Sequence, residues 1–294
     1  MSTYRDRLPG VPEWGRCGVM GVIGVTPGSY SDGKLRLDVG QAVAHGLELV
    51  GQGADIVDVG AESTRPGAVR ITREEELRRV LPVVRGLAEG GALVSVDTTR
   101  ADVAEAAVDA DARIINDVSG GRADPAMVKV VARTGVPFVL LHRRARSADT
   151  EGPAGYGDAV SESVAEAERQ MDAMVTADVD PAQVITAPGL GIATGTRADD
   201  WALPARLDAW RRLGRPVLVA ASRKRFLGTL LADPARGDPR PPRARDAATA
   251  AVSAIAATQG AWAVRVHEVR ATADAVRVEA ALRTARHPEP DSHR

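Results

Sequence analysis

Short runs dominated by valine, isoleucine and leucine alternate along this chain with longer segments of helical period. Eight of the runs, at 18–25, 55–59, 93–96, 113–115, 138–141, 184–186, 217–220 and 263–266, predict β-strands. Apolar positions recurring every three or four residues predict helices over 38–52, 73–88, 100–109, 125–133, 158–177, 199–213, 245–258 and 271–285. The strands are nearly uniform in apolar character, which suits a parallel sheet covered by helices. Eight strand–helix units count out a (β/α)8 TIM barrel. An open doubly wound sheet alternates in the same way, but eight regular units favour closure. No Gly-x-Gly-x-x-Gly turn follows the first strand, which weakens a dinucleotide-binding version.

Length fits this architecture, since 294 residues are enough for one α/β barrel domain. The pattern divides the chain into an N-terminal extension (1–17), a barrel (18–285) and a polar tail (286–294) that is expected to fray. Three loops are long: 26–37, 143–157 and the Pro/Arg-rich 233–242. The first apolar run is short and broken by glycine, so it reads as a strand and not as a signal or membrane span. A soluble, cytoplasmic protein is expected. Lys and Arg total 38 against 39 Asp and Glu, a net charge of -1, so charge gives no case for nucleic acid or an anionic membrane as partner. The single cysteine, Cys17, excludes an intramolecular disulfide and a cysteine zinc cluster.

Barrel enzymes work at the C-terminal ends of their strands, and here nearly every strand end carries polar groups. Thr26 to Gly33 follow the first strand, Glu62, Thr64 and Arg65 the second, Asp97 the third, and Asn116 and Asp117 the fourth. His142 and Arg143 follow the fifth, Ala187-Pro188-Gly189 the sixth, Ser222-Arg223-Lys224 the seventh, and Arg265 and His267 close the eighth. Taken singly, Asp97 and Asn116 could cap helices, His142 could be a core histidine, and Lys224 with Arg223 and Arg225 could be a solvated charge run. Polar groups at strand end after strand end, in register and beside glycines, favour a site.

These strand ends resemble the dihydropteroate synthase family over nearly the whole chain. The likeness rests on Val25-Thr26-Pro27 with Ser29-Tyr30-Ser31-Asp32-Gly33, and on Glu62-Ser63-Thr64-Arg65-Pro66-Gly67. It continues through Ser95-Val96-Asp97-Thr98, Ile114-Ile115-Asn116-Asp117, Pro188-Gly189-Leu190-Gly191, Ser222-Arg223-Lys224 and Arg265-Val266-His267. The resemblance implies a transferase joining a dihydropterin pyrophosphate to 4-aminobenzoate, with pyrophosphate leaving first. It casts Arg65, Lys224, Arg265 and His267 as catalytic groups. Asp97 and Asn116 are then expected at the pterin edge, Thr64 and Pro66 beside the aminobenzoate, and Thr26, Asp32, Glu62, Gly189, Gly191 and Arg225 around the substrates. It also implies a homodimer through the last helices.

Four positions depart from the family pattern. Gly24 replaces an asparagine that helps hold magnesium and pyrophosphate, so a Mg2+ site is weakened by loss of an oxygen ligand. Gly28 replaces an acid in the first loop, Ile192 an aromatic, and Ala187 the aspartate that accepts from the pterin ring. With Arg143, Arg144 and Arg146 after the fifth strand, the pocket is expected to be more electropositive than the family's. Two alternatives stay open on these residues: a diverged barrel enzyme acting on another anionic substrate, and a non-catalytic ligand-binding paralogue.

Overall fold

In the computed structural model, eight parallel strands hydrogen-bond in the order β6-β5-β4-β3-β2-β1-β8-β7, and a bridge between Thr186 and Val217 joins the two ends into a barrel. The structure describes residues 7–26, 39–62, 70–142, 158–191, 197–235 and 237–286. The strands are β1 (Gly18–Gly24), β2 (Ile56–Gly60), β3 (Val94–Asp97), β4 (Ile114–Asp117), β5 (Phe138–Leu141), β6 (Val184–Ala187), β7 (Leu218–Val219) and β8 (Ala263–Val266). Around them run α1 (Val39–Gly51), α2 (Arg73–Glu89), α3 (Ala101–Asp109), α4 (Met127–Thr134) and α5 (Ala159–Thr176). The ring continues with α6 (Arg197–Ala205), α7 (Leu207–Arg211), α8 (Arg225–Leu230), α9 (Asp246–Thr258) and α10 (Arg270–Arg286).

Local chemistry accounts for several boundaries. Thr72 caps α2 by accepting from the Glu75 amide, and Asp158 caps α5 by accepting from the Val160 and Ser161 amides. The single helix expected over 199–213 is two helices, α6 and α7, parted at Arg206. Pro204 lies inside the first of them, where its ring removes an amide donor and crowds the preceding turn. Part of the run that reads as surface charge folds instead as α8.

Residue parity assigns each strand two faces. Val57, Val59, Val94, Val96, Ile115 and Val264 join the large core between strands and helices. The alternate positions Met20, Ile56, Ile114, Val139, Ile185, Leu218 and Ala263 fill the barrel interior. Leu8 of the N-terminal segment belongs to this inner cluster, with Trp14 and Trp262 packed against it at 5.8 Å between ring centroids. The Trp14 ring occupies the space where a side chain on Gly18 would lie, which explains glycine there. No helix among the described residues is long and apolar enough to cross a membrane.

Candidate active site at the barrel mouth

Above the apolar interior, the inward-facing positions turn polar. Following the register from β2 outward, Asp58 pairs with Ser95, Gly60 with Asp97, and Asp97 with Asn116. Arg265 stands on β8 two residues beyond the interior Ala263, on the same inward face. The four side chains meet. Arg265 Nε donates to Asp58 Oδ2 at 2.7 Å, and its NH2 donates to Asp97 Oδ2 at 2.7 Å. Asn116 Nδ2 donates to the same Asp58 oxygen at 3.0 Å. A side chain on Gly60 would press on Asp97, its Cβ falling 3.2 Å from that of Asp97.

Burial raises the Asp97 carboxyl to about 7, with Arg265 working against the rise and Asp58, Asp117 and Glu76 adding to it. Burial also works to lower Arg265, but Asp58 and Asp97 outweigh it and hold the guanidinium above its ordinary range. Asp97 can therefore hold or release a proton near neutrality, while Arg265 remains a fixed cation.

On the opposite side, Lys224 caps α8 and lies across Gly191, its Cδ 3.3 Å from where a Gly191 side chain would begin. Gly191 has φ +64°, a left-handed conformation suited to glycine, and its amide donates to Asp200 at 2.7 Å. Burial lowers Lys224 to about 8, Arg265 adds to the fall, and Asp200 and Asp97 oppose it. Its backbone is fixed from behind: Arg245 donates to the carbonyls of Arg223 and Lys224 at 2.7 and 3.2 Å. Arg223, itself at φ +57°, forks onto Asp246 with both contacts at 2.7 Å. Of the Ser-Arg-Lys run, Arg223 is thus a brace, while Ser222 meets the eighth strand through His267, with Oγ 2.9 Å from Nδ1.

Not every expected site residue joins this cluster. Glu62 ties its own loop down, accepting from the Ile71 amide at 3.2 Å and pairing with Arg100 at 3.1 Å. Arg100 also reaches Glu76 and the Ile71 carbonyl, so these contacts fasten the chain after β2 to β3 and α2. Arg225 is exposed at the start of α8, where its charge bears on Arg245. Thr26 is half-buried just beyond β1, and Gly189 is buried after β6. Asp117 holds its own turn through the Ser119 and Gly121 amides, and buried His142 bonds Glu166 at 2.7 Å. Asp32, Thr64, Arg65 and Pro66 lie outside the described residues, as do Gly28, Ile192 and the Arg143, Arg144 and Arg146 group.

Asp58 is the member of this network that the sequence reading missed. Its signal was present: an acid inside Ile-Val-Asp-Val, where every neighbour is apolar, has to find a partner indoors. Position 187 meanwhile presents only a methyl group to the inner cluster, and Ala187 is fully buried. Gly24 offers no side-chain oxygen, and no group of three or more His, Cys, Asp or Glu able to hold a metal gathers among the described residues.

The profile of a family described as pterin binding enzyme matches residues 20–267. The chain is 54% identical over 262 residues to the dihydropteroate synthase of Mycobacterium leprae, covering 88% of this chain and 91% of that one. Dihydropteroate synthase from Xanthomonas albilineans with 4-aminobenzoic acid superposes with a TM-score of 0.82 at 40% identity, covering 94% of each chain. The same bacterium's enzyme in complex with 7,8-dihydropteroate gives a TM-score of 0.79 at 38% identity, over 94% of this chain and 95% of that one.

Proposed function

This chain belongs to the dihydropteroate synthase family of pterin-binding enzymes, and from that premise we propose that it joins 6-hydroxymethyl-7,8-dihydropterin pyrophosphate to 4-aminobenzoate, with a weakened grip on the pterin. The observation that carries the reading is the network at one end of the barrel in which Asp58 joins Asn116 to Arg265 and Arg265 reaches Asp97, side chains of four separate strands, with Lys224 feeling the charges of Arg265 and Asp97. Asp97 and Asn116 face the donor-and-acceptor edge of the heterocycle. Lys224 supports its carbonyl side. Arg265, with His267, takes the pyrophosphate, an anion that suits a fixed guanidinium.

In this proposal the chain stabilises a leaving group instead of activating a nucleophile. Departure of pyrophosphate, assisted by the cations, exposes a cationic methylene on the pterin, and the aniline nitrogen of 4-aminobenzoate attacks it. Shielding from water matters because water would trap the same cation. Asp97, poised near neutrality, can hold a proton on the heterocycle side as charge redistributes. No step runs through magnesium; any such ion would arrive with the pyrophosphate oxygens.

Ala187 gives the proposal its particular form. A carboxylate accepting two hydrogen bonds from one heterocycle is absent here, and each unmade bond costs about 1–3 kcal/mol. The ligand is bound chiefly from the β2, β3, β4 and β8 side. Liquid chromatography of 7,8-dihydropteroate formed from the two substrates tests the reading. Turnover dependent on both substrates is expected, and a protein that makes no 7,8-dihydropteroate at any substrate concentration contradicts it. The retained cations beside a missing acid also support a second reading, a more anionic substrate, which tighter stabilisation by phosphorylated or carboxylated metabolites than by the pterin pyrophosphate would favour.

Assembly and location are part of the proposal. Ile255 on α9 and Val278 and Leu282 on α10 are 57%, 60% and 56% exposed, which supports pairing of two copies through these helices. Sedimentation of the wild type against Leu282→Glu tests this: a dimer that becomes a monomer is expected. A cytoplasmic location is in keeping with charged, soluble substrates.

A further inference from the structure

Asp58 is completely buried in the middle of β2, facing the barrel interior two residues above Ile56. Its Oδ2 serves both Arg265 and Asn116, while Oδ1 is buried with no hydrogen-bond partner. The hydroxyl of Ser95, its register partner on β3, is likewise buried without one. Burying a carboxylate is costly unless its contacts compensate, and an apolar side chain would fill this level as Ile56 and Ile114 fill the one below. The side-chain hydrogen bonds described for Asp58 run only to two residues of the proposed site; none caps a helix or holds a turn.

We propose that Asp58 is a positioning residue of the transferase site: one carboxylate oxygen fixes the Asn116 amide for the heterocycle edge and shares Arg265 with Asp97, so that the guanidinium is divided between two acids. Arg265 and Asp97 are thereby fixed in place before a ligand arrives. The inference rests on the reading of the mouth as a pterin-pyrophosphate site.

The charges bearing on Asp97 are Arg265 from β8, Asp58 from β2, Asp117 from β4, Glu76 from α2 and Lys224 from the start of α8. Removing the charge of Asp58 acts on Asp97 in a single direction. A repelling anion disappears, and Arg265 is released to pair with Asp97 alone. Both changes favour ionised Asp97.

Carbon-13 NMR titration of Asp97 in the ligand-free protein, with wild type compared to Asp58→Asn and Asp58→Leu, reads this without any substrate. The midpoint, about 7 in the wild type, is expected to fall toward the ordinary carboxylate range in both variants. Calorimetry is expected to show affinity for the pterin pyrophosphate falling by roughly tenfold or more, the scale of one lost charge-assisted contact. Asp58→Leu introduces no buried amide, so it reports even where the asparagine variant does not fold. A midpoint that stays at its wild-type value in the folded variants overturns the proposal. A midpoint that moves while the wild type fails to bind pterin pyrophosphate upholds positioning by Asp58 and sinks the proposed function.

Discussion

On the β2–β3–β4–β8 side of the barrel mouth, two acids, an amide and a guanidinium bind one another through contacts of 2.7 to 3.0 Å. On the β6–β7 side, Ala187 presents a methyl group and Lys224 reaches in over Gly191, braced by Arg245 at its backbone. The first side is a network whose members are already hydrogen-bonded to one another, with one Asp58 oxygen left unpartnered. The second sets the Lys224 cation beside a buried methyl group where the family pattern has an acid. In the proposed site the contrast separates two roles: holding an anion, for which the cations are present, and gripping a heterocycle from both flanks, for which one flank has no acid.

The network side is expected to be the more fragile under mutation. Arg265→Ala leaves Asp58 and Asp97 buried without their cation, and should cost about 3–5 kcal/mol by denaturant melting. A loss below about 1 kcal/mol would mean the network is not a stabilising unit. Next in size is position 187. Ala187→Asp should tighten pterin binding by roughly tenfold to a hundredfold, since two regained bonds are worth about 1–3 kcal/mol each before the cost of burying the acid.

Acid–base behaviour distinguishes the sides further. Asp97 holds its proton up to about 7 when folded, against an ordinary 3.8 in the unfolded chain. Between those values the native state binds more protons, so its contribution is fully present at low pH and is lost as pH rises through 7. Relative to Asp97→Asn, the wild type should therefore lose thermal stability from about pH 4 to 7. Lys224, lowered to about 8, should give pterin-pyrophosphate affinity that weakens above that pH. Lys224→Gln should bind more weakly throughout and show no such limb. Smallest of all, Arg225→Ala should change stability by less than about 0.5 kcal/mol and leave affinity unaltered, because its side chain is exposed outside the network.

The same division shows what could be read from the chain itself. Strands and their order came through because buried parallel strands are continuous apolar runs, and the polar groups at their ends marked the mouth. Helix breaks were harder: Pro204 divides a segment whose apolar period reads as continuous, because period is blind to a missing amide. Charge runs were ambiguous for a similar reason. Arg223, Lys224 and Arg225 look alike in sequence, yet the structure sends one to Asp246, one into the mouth and one to solvent. Glu62 was expected near substrate and instead pins Ile71 and Arg100, a partnership set by contacts distant in sequence. Asp58 went unnoticed within an apolar strand, although an acid there needs an indoor partner more than any acid in a loop.

The proposed site has cations for the anion and, with Ala187, no carboxylate for the heterocycle on the β6 side. Calorimetric affinity of 6-hydroxymethylpterin, which carries the heterocycle without the pyrophosphate, tests it most directly in the wild type and in Ala187→Asp. Weak binding by the wild type and a gain of roughly tenfold or more in the variant is the predicted result. Equal affinity in the two proteins, or a loss in the variant, would contradict it.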